Sequence, residues 1–143
     1  MATRSQSTFK RCIGAASLAL LLSACQFRPS LLAASAVPLG NDTSVHVVLR
    51  SADAKTITSR EPYFSIIVFN CGEDRSGYPM EPLINGVRMS GFNLPTSGEH
   101  TVISGHVPTW IFKKYKNPCA YLRGGSYLAG TIESTQIAIR TGA

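Results

Sequence analysis

The chain has 143 residues, 44% of them hydrophobic, with 14 Lys and Arg against 8 Asp and Glu and a formal charge of +6. That length leaves room for one small domain and not two. Part of the basic excess sits in Arg4, Lys10 and Arg11, so from residue 25 onward the balance is only 11 to 8, too mild to point to a nucleic-acid partner.

The basic leader runs into Cys12 to Leu22, dominated by Ile, Ala and Leu, and the small residues Ser23 and Ala24 then precede Cys25. A charged leader, a short apolar core and small residues before a cut predict a helical secretory signal peptide over residues 1–24. The apolar run is shorter than the roughly 20 residues a membrane span requires. Its last four residues, Leu22-Ser23-Ala24-Cys25, resemble the bacterial lipobox. That resemblance implies cleavage before Cys25, acyl chains such as palmitate on its sulfur, and a further chain on its amine. Two or three chains anchor far better than one, since each buried CH₂ contributes about 0.8 kcal/mol. Gln26 stands where an Asp would retain such a protein in the inner membrane. The expected location is therefore the outer membrane of a bacterial envelope, lipid-anchored and facing the periplasm.

With Cys12 in the signal and Cys25 taken by lipid, Cys71 and Cys119 remain as an even pair in an oxidising compartment, and a disulfide is expected between them. Neither has a Cys-x-x-Cys partner or a neighbouring His, as a redox or metal pair would.

Residues 25–42 read as the lipidated cysteine and a flexible tether, rich in Pro, Ala and Ser, which would lift a domain at 43–143 off the membrane. Leu31 and Leu32 within it could dock on the domain or dip into lipid, and the pattern alone does not separate these. From Thr43 the period changes to two, with Val45, Val47 and Leu49 on one face of a strand. Ser51 to Glu61 reads as a polar, solvent-exposed connection. Tyr63 to Phe69 is the most hydrophobic stretch after the signal, and its aromatic and β-branched content predicts a central strand covered on both faces. Gly72 to Met80 is a charged, turn-rich loop. Asn85-Gly86 between short apolar segments predicts a type I′ hairpin. Thr101–Ser104 and Thr109–Phe112 read as separate strands, Gly124-Gly125 as a turn, and Thr135–Arg140 as a closing strand with Ile137 and Ile139 inward. Short strands with regular turn signals predict an all-β, antiparallel sandwich, immunoglobulin-like or similar.

Tyr63 to Phe69, together with Tyr127-Leu128-Ala129-Gly130-Thr131 before the closing strand, is similar to a family of small β-sandwich lipoproteins of unassigned function. The Pro-Gly-x-Tyr usual in that family is replaced by Arg123-Gly124-Gly125-Ser126-Tyr127. The resemblance implies a fold and brings no catalytic residues.

Candidate chemistry is sparse. His100 and His106 flank a predicted strand, with Glu99 beside the first, but positions six apart lie about 20 Å apart if the strand is straight, and a metal needs three or four convergent ligands, so no metal site is expected. Ser104 and Ser126 sit near glycines, but no Gly-x-Ser-x-Gly elbow is present. Neither a cofactor nor an enzymatic activity is expected. Two groups could form a contact surface: Glu73, Asp74, Arg75 and Tyr78 in the long loop, and Lys113, Lys114, Lys116 and Arg123 interleaved with tyrosines. The lysines could equally be a solvated loop. The function these features suggest is protein–protein contact, as an envelope assembly part or an immunity or inhibitor protein. The alternative is a small-ligand or lipid-binding module that uses the space between the sheets.

Overall fold

The computed structural model describes residues 26–60, 63–89, 93–126 and 130–142. The expected signal peptide, Cys25, and Tyr127 to Ala129 of the family resemblance lie outside the described residues. The expected all-β sandwich is present. One sheet has the order β11-β1-β2-β7-β5-β6 and the other the order β10-β8-β3-β4, with β9 also paired to β8. The strands are β1 (Leu31–Leu39), β2 (Asp42–Arg50), β3 (Tyr63–Asn70), β4 (Tyr78–Met80), β5 (Leu83–Ile84), β6 (Val87–Arg88), β7 (His100–Pro108), β8 (Pro118–Ser126), β9 (Gly130–Glu133), β10 (Ile137–Ala138) and β11 (Arg140–Thr141). The runs β1-β2-β7-β5 and β9-β8-β3-β4 reproduce the strand order of the immunoglobulin sandwich. Pairing is antiparallel except for β1 with β11 and the lone bridge from Phe27 to Ile132.

Residues 31–39, expected in the tether, form β1 and pair along their length with β2. The pattern was hidden by a β-bulge between Leu31 and Ala33, which shifts the parity of the strand by one residue. As a result Leu31, Ala34 and Ala36 all face the core although their numbers do not alternate. Leu31 therefore docks on the domain, while Leu32 stays partly exposed. The chain is held even earlier. The Phe27 N–H donates to the Thr131 carbonyl at 3.0 Å, and the Phe27 carbonyl accepts from Glu133 N–H at 3.2 Å.

The polar connection after β2 is also structured, as helix α1 (Ser51–Ser59). Ser51, Ala54 and Ile57 repeat every three residues and turn inward, leaving Ala52, Lys55 and Ser59 outside. A single alanine and a single isoleucine make a faint stripe, too weak to announce a helix of nine residues. Asp53 in its first turn accepts the Ser30 N–H at 3.3 Å. The helix leads from one sheet to the other and closes that end of the sandwich.

Thr109–Phe112 is a helical turn, α2, where a strand was expected. Pro108 ends β7 with φ fixed near −53°, and the turn then drives Phe112 into the core while Trp110 stays 63% exposed. Local β-propensity gives way here to the burial of one side chain. Gly105 to Pro108, expected to separate two strands, instead continues β7. The Asn85-Gly86 hairpin is as expected, with φ of 51° and 76° between β5 and β6.

Gly124 and Gly125 do not turn; both lie in β8 against β3. A Cβ at Gly124 would fall 2.1 Å from the Tyr63 carbonyl oxygen and 2.5 Å from Phe64 Cβ. Backbone cannot yield as a side-chain tip can, so Gly124→Ala is expected to destabilise the domain by about 1–3 kcal/mol, read as a lower denaturation midpoint. The closing segment is two strands in different sheets. β10 pairs with β8 and β11 with β1, and the chain crosses between them at buried Ile139, whose N–H bonds Pro118 O at 2.8 Å. Ile137 is only partly buried.

The core lies between the sheets. Val45, Val47, Leu49 and Ile103 meet Ile66, Val68, Ala120 and Leu122, all fully buried, with Ala54 and Ile57 at the α1 end and Phe112 at the α2 end. A second cluster sits on the outer face of the β8–β3 sheet. Phe69 and Tyr121 meet edge to face at 5.4 Å beside the Cys71–Cys119 disulfide. From Ile66 to Phe69 strand β3 is thus covered on both faces, as its composition predicted, while its first residue Tyr63 stays open to solvent.

Candidate interaction surface

The two ends of the sandwich differ. At one end the β1–β2 turn, the loop after β3 and α2 converge. The Thr109 N–H donates to Asn41 O at 3.0 Å, and the Thr109 and Thr43 hydroxyls are 3.1 Å apart, which ties α2 to the β1–β2 turn. The segment after α2 is tied to the end of β3: Cys71 N–H donates to Asn117 O at 2.7 Å, and Asn117 N–H to Asn70 Oδ1 at 2.9 Å.

On α2, Trp110 is followed at three and four residues by Lys113 and Lys114, a spacing that places all three on one face of a helical turn. The Lys114 Nζ lies 4.6 Å from the centre of the Trp110 ring. A cation over an exposed indole is worth about 0.5–1 kcal/mol, enough to favour one arrangement of the pair. Leu39, the last residue of β1, is half exposed at this end, and Lys116 is exposed in the segment that follows α2. This end therefore presents one large aromatic ring, an aliphatic side chain and three cations.

The residues of the long loop have largely internal partners. The Arg75 guanidinium pairs with Glu133 and lies 5.7 Å from the Tyr121 ring centre, while the Tyr121 hydroxyl donates to the Arg75 carbonyl at 3.0 Å. Glu73 accepts from the Asn70 amide at 2.6 Å. Tyr78 is half-buried in β4 opposite Val68. Of this group Asp74 is exposed with no side-chain role in the loop's hydrogen bonding. The loop is a lid over the Phe69–Tyr121 cluster, stapled by the disulfide, more than a free surface.

Arg123 does not join the lysines. It lies further along β8, opposite Glu133 of β9, on the face that Arg75 crosses. The structure thus brings Lys113, Lys114 and Lys116 together and leaves Arg123 apart. Trp110 and Leu39 were missed because one was assigned to a strand and the other to the tether. The usable signal was the tryptophan with lysines three and four residues on.

His100 and His106 are exposed along β7, and His46 Nε2 lies 3.2 Å from Ser44 Oγ on the neighbouring strand. Among the described residues no three His, Cys, Asp or Glu side chains gather as metal ligands. Ser104 is buried and donates to the Leu83 carbonyl at 3.3 Å, so its hydroxyl is engaged in the fold. Ser126 has no described side chain. The middle of the space between the sheets is occupied by the fully buried side chains named above.

Comparisons with protein-family models, with curated proteins and with solved structures find no match. Function must be argued from the surface itself.

Proposed function

We propose that this chain is a bacterial envelope lipoprotein, held in the outer membrane by acyl chains on Cys25, that works in the periplasm by binding another protein. The observation that supports a binding role is the α2 end, with Trp110 63% exposed under the Lys114 ammonium and Leu39 half exposed at the same end of the sandwich. Tryptophan is the side chain most often found to anchor interfaces, because its large rigid ring gives much contact area at little entropic cost. The lysines contribute in another way. Surface cations steer association and select acidic partners more than they add affinity. The partner this surface fits is a protein with an acidic rim around an apolar pocket. Such a partner suits an envelope assembly part or an immunity or inhibitor protein. The rival reading, a small-ligand module, calls for open space between sheets whose centre is filled by Val45, Val47, Ile66, Val68 and Ile103.

The test is photo-crosslinking in intact envelopes from position 113, with position 102 on the outer face of β7 as a control. A discrete protein adduct is expected from 113 and not from 102. Trp110→Ala should weaken binding of that partner about thirtyfold, the effect of losing a hot spot worth about 2 kcal/mol. An adduct from 113 that survives Trp110→Ala with unchanged affinity would remove Trp110 as the anchor, and equal adducts from 113 and 102 would assign the surface no role.

A further inference from the structure

Where the chain enters the fold determines which end of the domain meets the membrane. Cys25 is separated from Phe27 by Gln26 alone, and Phe27 is already fixed by two backbone hydrogen bonds to the β9 strand. The two residue steps from Phe27 back to Cys25 reach only about 7 Å even fully extended. No tether remains to lift or turn the domain.

Phe27 lies at the α1 end. The Arg60 guanidinium, just after α1, sits 5.1 Å from the Phe27 ring centre, and Ser30 bonds Asp53 of α1. β1 and β2 each run nine residues between this end and the α2 end, with Leu31 opposite Leu49 and Leu39 opposite Asp42. At the usual strand rise that is about 27 Å. Trp110 and its lysines are therefore at the far end from the acylated residue.

The near end carries its own charge pattern. Among the described residues, Arg28, Arg50 and Lys55 are exposed there, with Arg60 on Phe27, against Asp53 and Glu99. Asp53 is partly used by the Ser30 N–H. Tyr63, at the start of β3 beside the β8–β9 tip, is 78% exposed at the same end. Exposed cations with a tyrosine, next to a lipid anchor, match the interface of an anionic bilayer, where each Lys or Arg is worth about fivefold in partitioning and Tyr favours the headgroup level.

We infer that the domain stands directly on the bilayer with its α1 end down, Arg28, Arg50, Lys55 and Arg60 meeting anionic phospholipid headgroups, and presents Trp110 away from the membrane. This rests on acylation of Cys25 as proposed above. It also explains why the lysine-rich end would be accessible to a soluble or opposing partner: the anchor cannot bring it to the lipid.

The single tryptophan makes the inference testable in the full acylated protein. The chain is reconstituted in vesicles of phosphatidylcholine and phosphatidylglycerol that carry a headgroup spin-labelled lipid as a fluorescence quencher. Trp110 emission should be barely quenched, whereas a Tyr63→Trp/Trp110→Phe chain should be strongly quenched. A reporter at exposed Ser59 on α1 (Ser59→Trp/Trp110→Phe) serves should the first variant not fold. Adding Arg28→Glu, Arg50→Glu and Lys55→Glu, or omitting phosphatidylglycerol, should cut that quenching about twofold or more, as raised salt should by screening. Equal quenching at both ends, or quenching at the α1 end indifferent to charge, overturns the orientation while leaving the anchor in place. The intact mass of the same sample reads the anchor separately. Absence of acyl mass overturns the Cys25 reading, and the orientation falls with it.

Discussion

A chain with Cys71→Ala and Cys119→Ala is expected to lose about 4 kcal/mol of stability, the chain-entropy value for a bridge between residues 48 apart. For a domain of this size that lowers the thermal midpoint by about 15 °C. The loss should not stop at entropy. The bridge holds the loop after β3 over Phe69 and Tyr121, and the Arg75 carbonyl that accepts the Tyr121 hydroxyl is in that loop. Near-UV circular dichroism from Tyr121 should therefore weaken in the folded double variant before any unfolding. Coincident midpoints for the parent and the double variant would show that the bridge adds nothing the sheets do not already supply.

The second large effect is expected at Ala34. Were residues 25–42 a tether, a charge there would be harmless. In β1, Ala34 is 3% exposed and packs with the core that includes Val45 and Val47. Ala34→Asp would bury an unpaired carboxylate, and should cost about 3–5 kcal/mol or prevent folding altogether. Ser35, the next residue, points outward, so Ser35→Asp should change stability by no more than about 0.5 kcal/mol. Denaturant titration of both variants separates the two outcomes. Equal midpoints would mean that β1 contributes no buried face.

Legibility in the sequence followed the strength of the local pattern. β2 and β3 were readable because large β-branched and aromatic residues either alternate or run together, and few other structures bury such a run. The Asn85-Gly86 hairpin was readable because only a few residue pairs accept positive φ at both positions. β1 was not readable, since its buried face is built from alanines and a bulge breaks its parity. α1 was not readable either. Its inward side amounts to Ser51, Ala54 and Ile57, and it is helical because the sandwich end offers those three a place to pack.

The same contrast applies to the surface. Net charge and loop composition singled out Lys113, Lys114 and Lys116 together with Arg75 and Arg123, and the fold sets the two arginines against Glu133 on a different face. Whether a charged loop residue is free depends on what lies opposite it across strands distant in sequence, and no local pattern records that.

By itself the sequence determined the all-β class, the inward face of β2, the central position of β3, the hairpin turn and the identity of the bridged cysteines. These follow from side-chain period, from backbone sterics and from counting. Only the tertiary structure decided that the chain is held from Phe27 onward, that α1 closes one end and that Trp110 with its lysines crowns the other. Those outcomes depend on pairings between residues far apart in the chain, Phe27 with Ile132, Leu39 with Asp42 and Thr109 with Asn41, so they exist only once the sheets have come together.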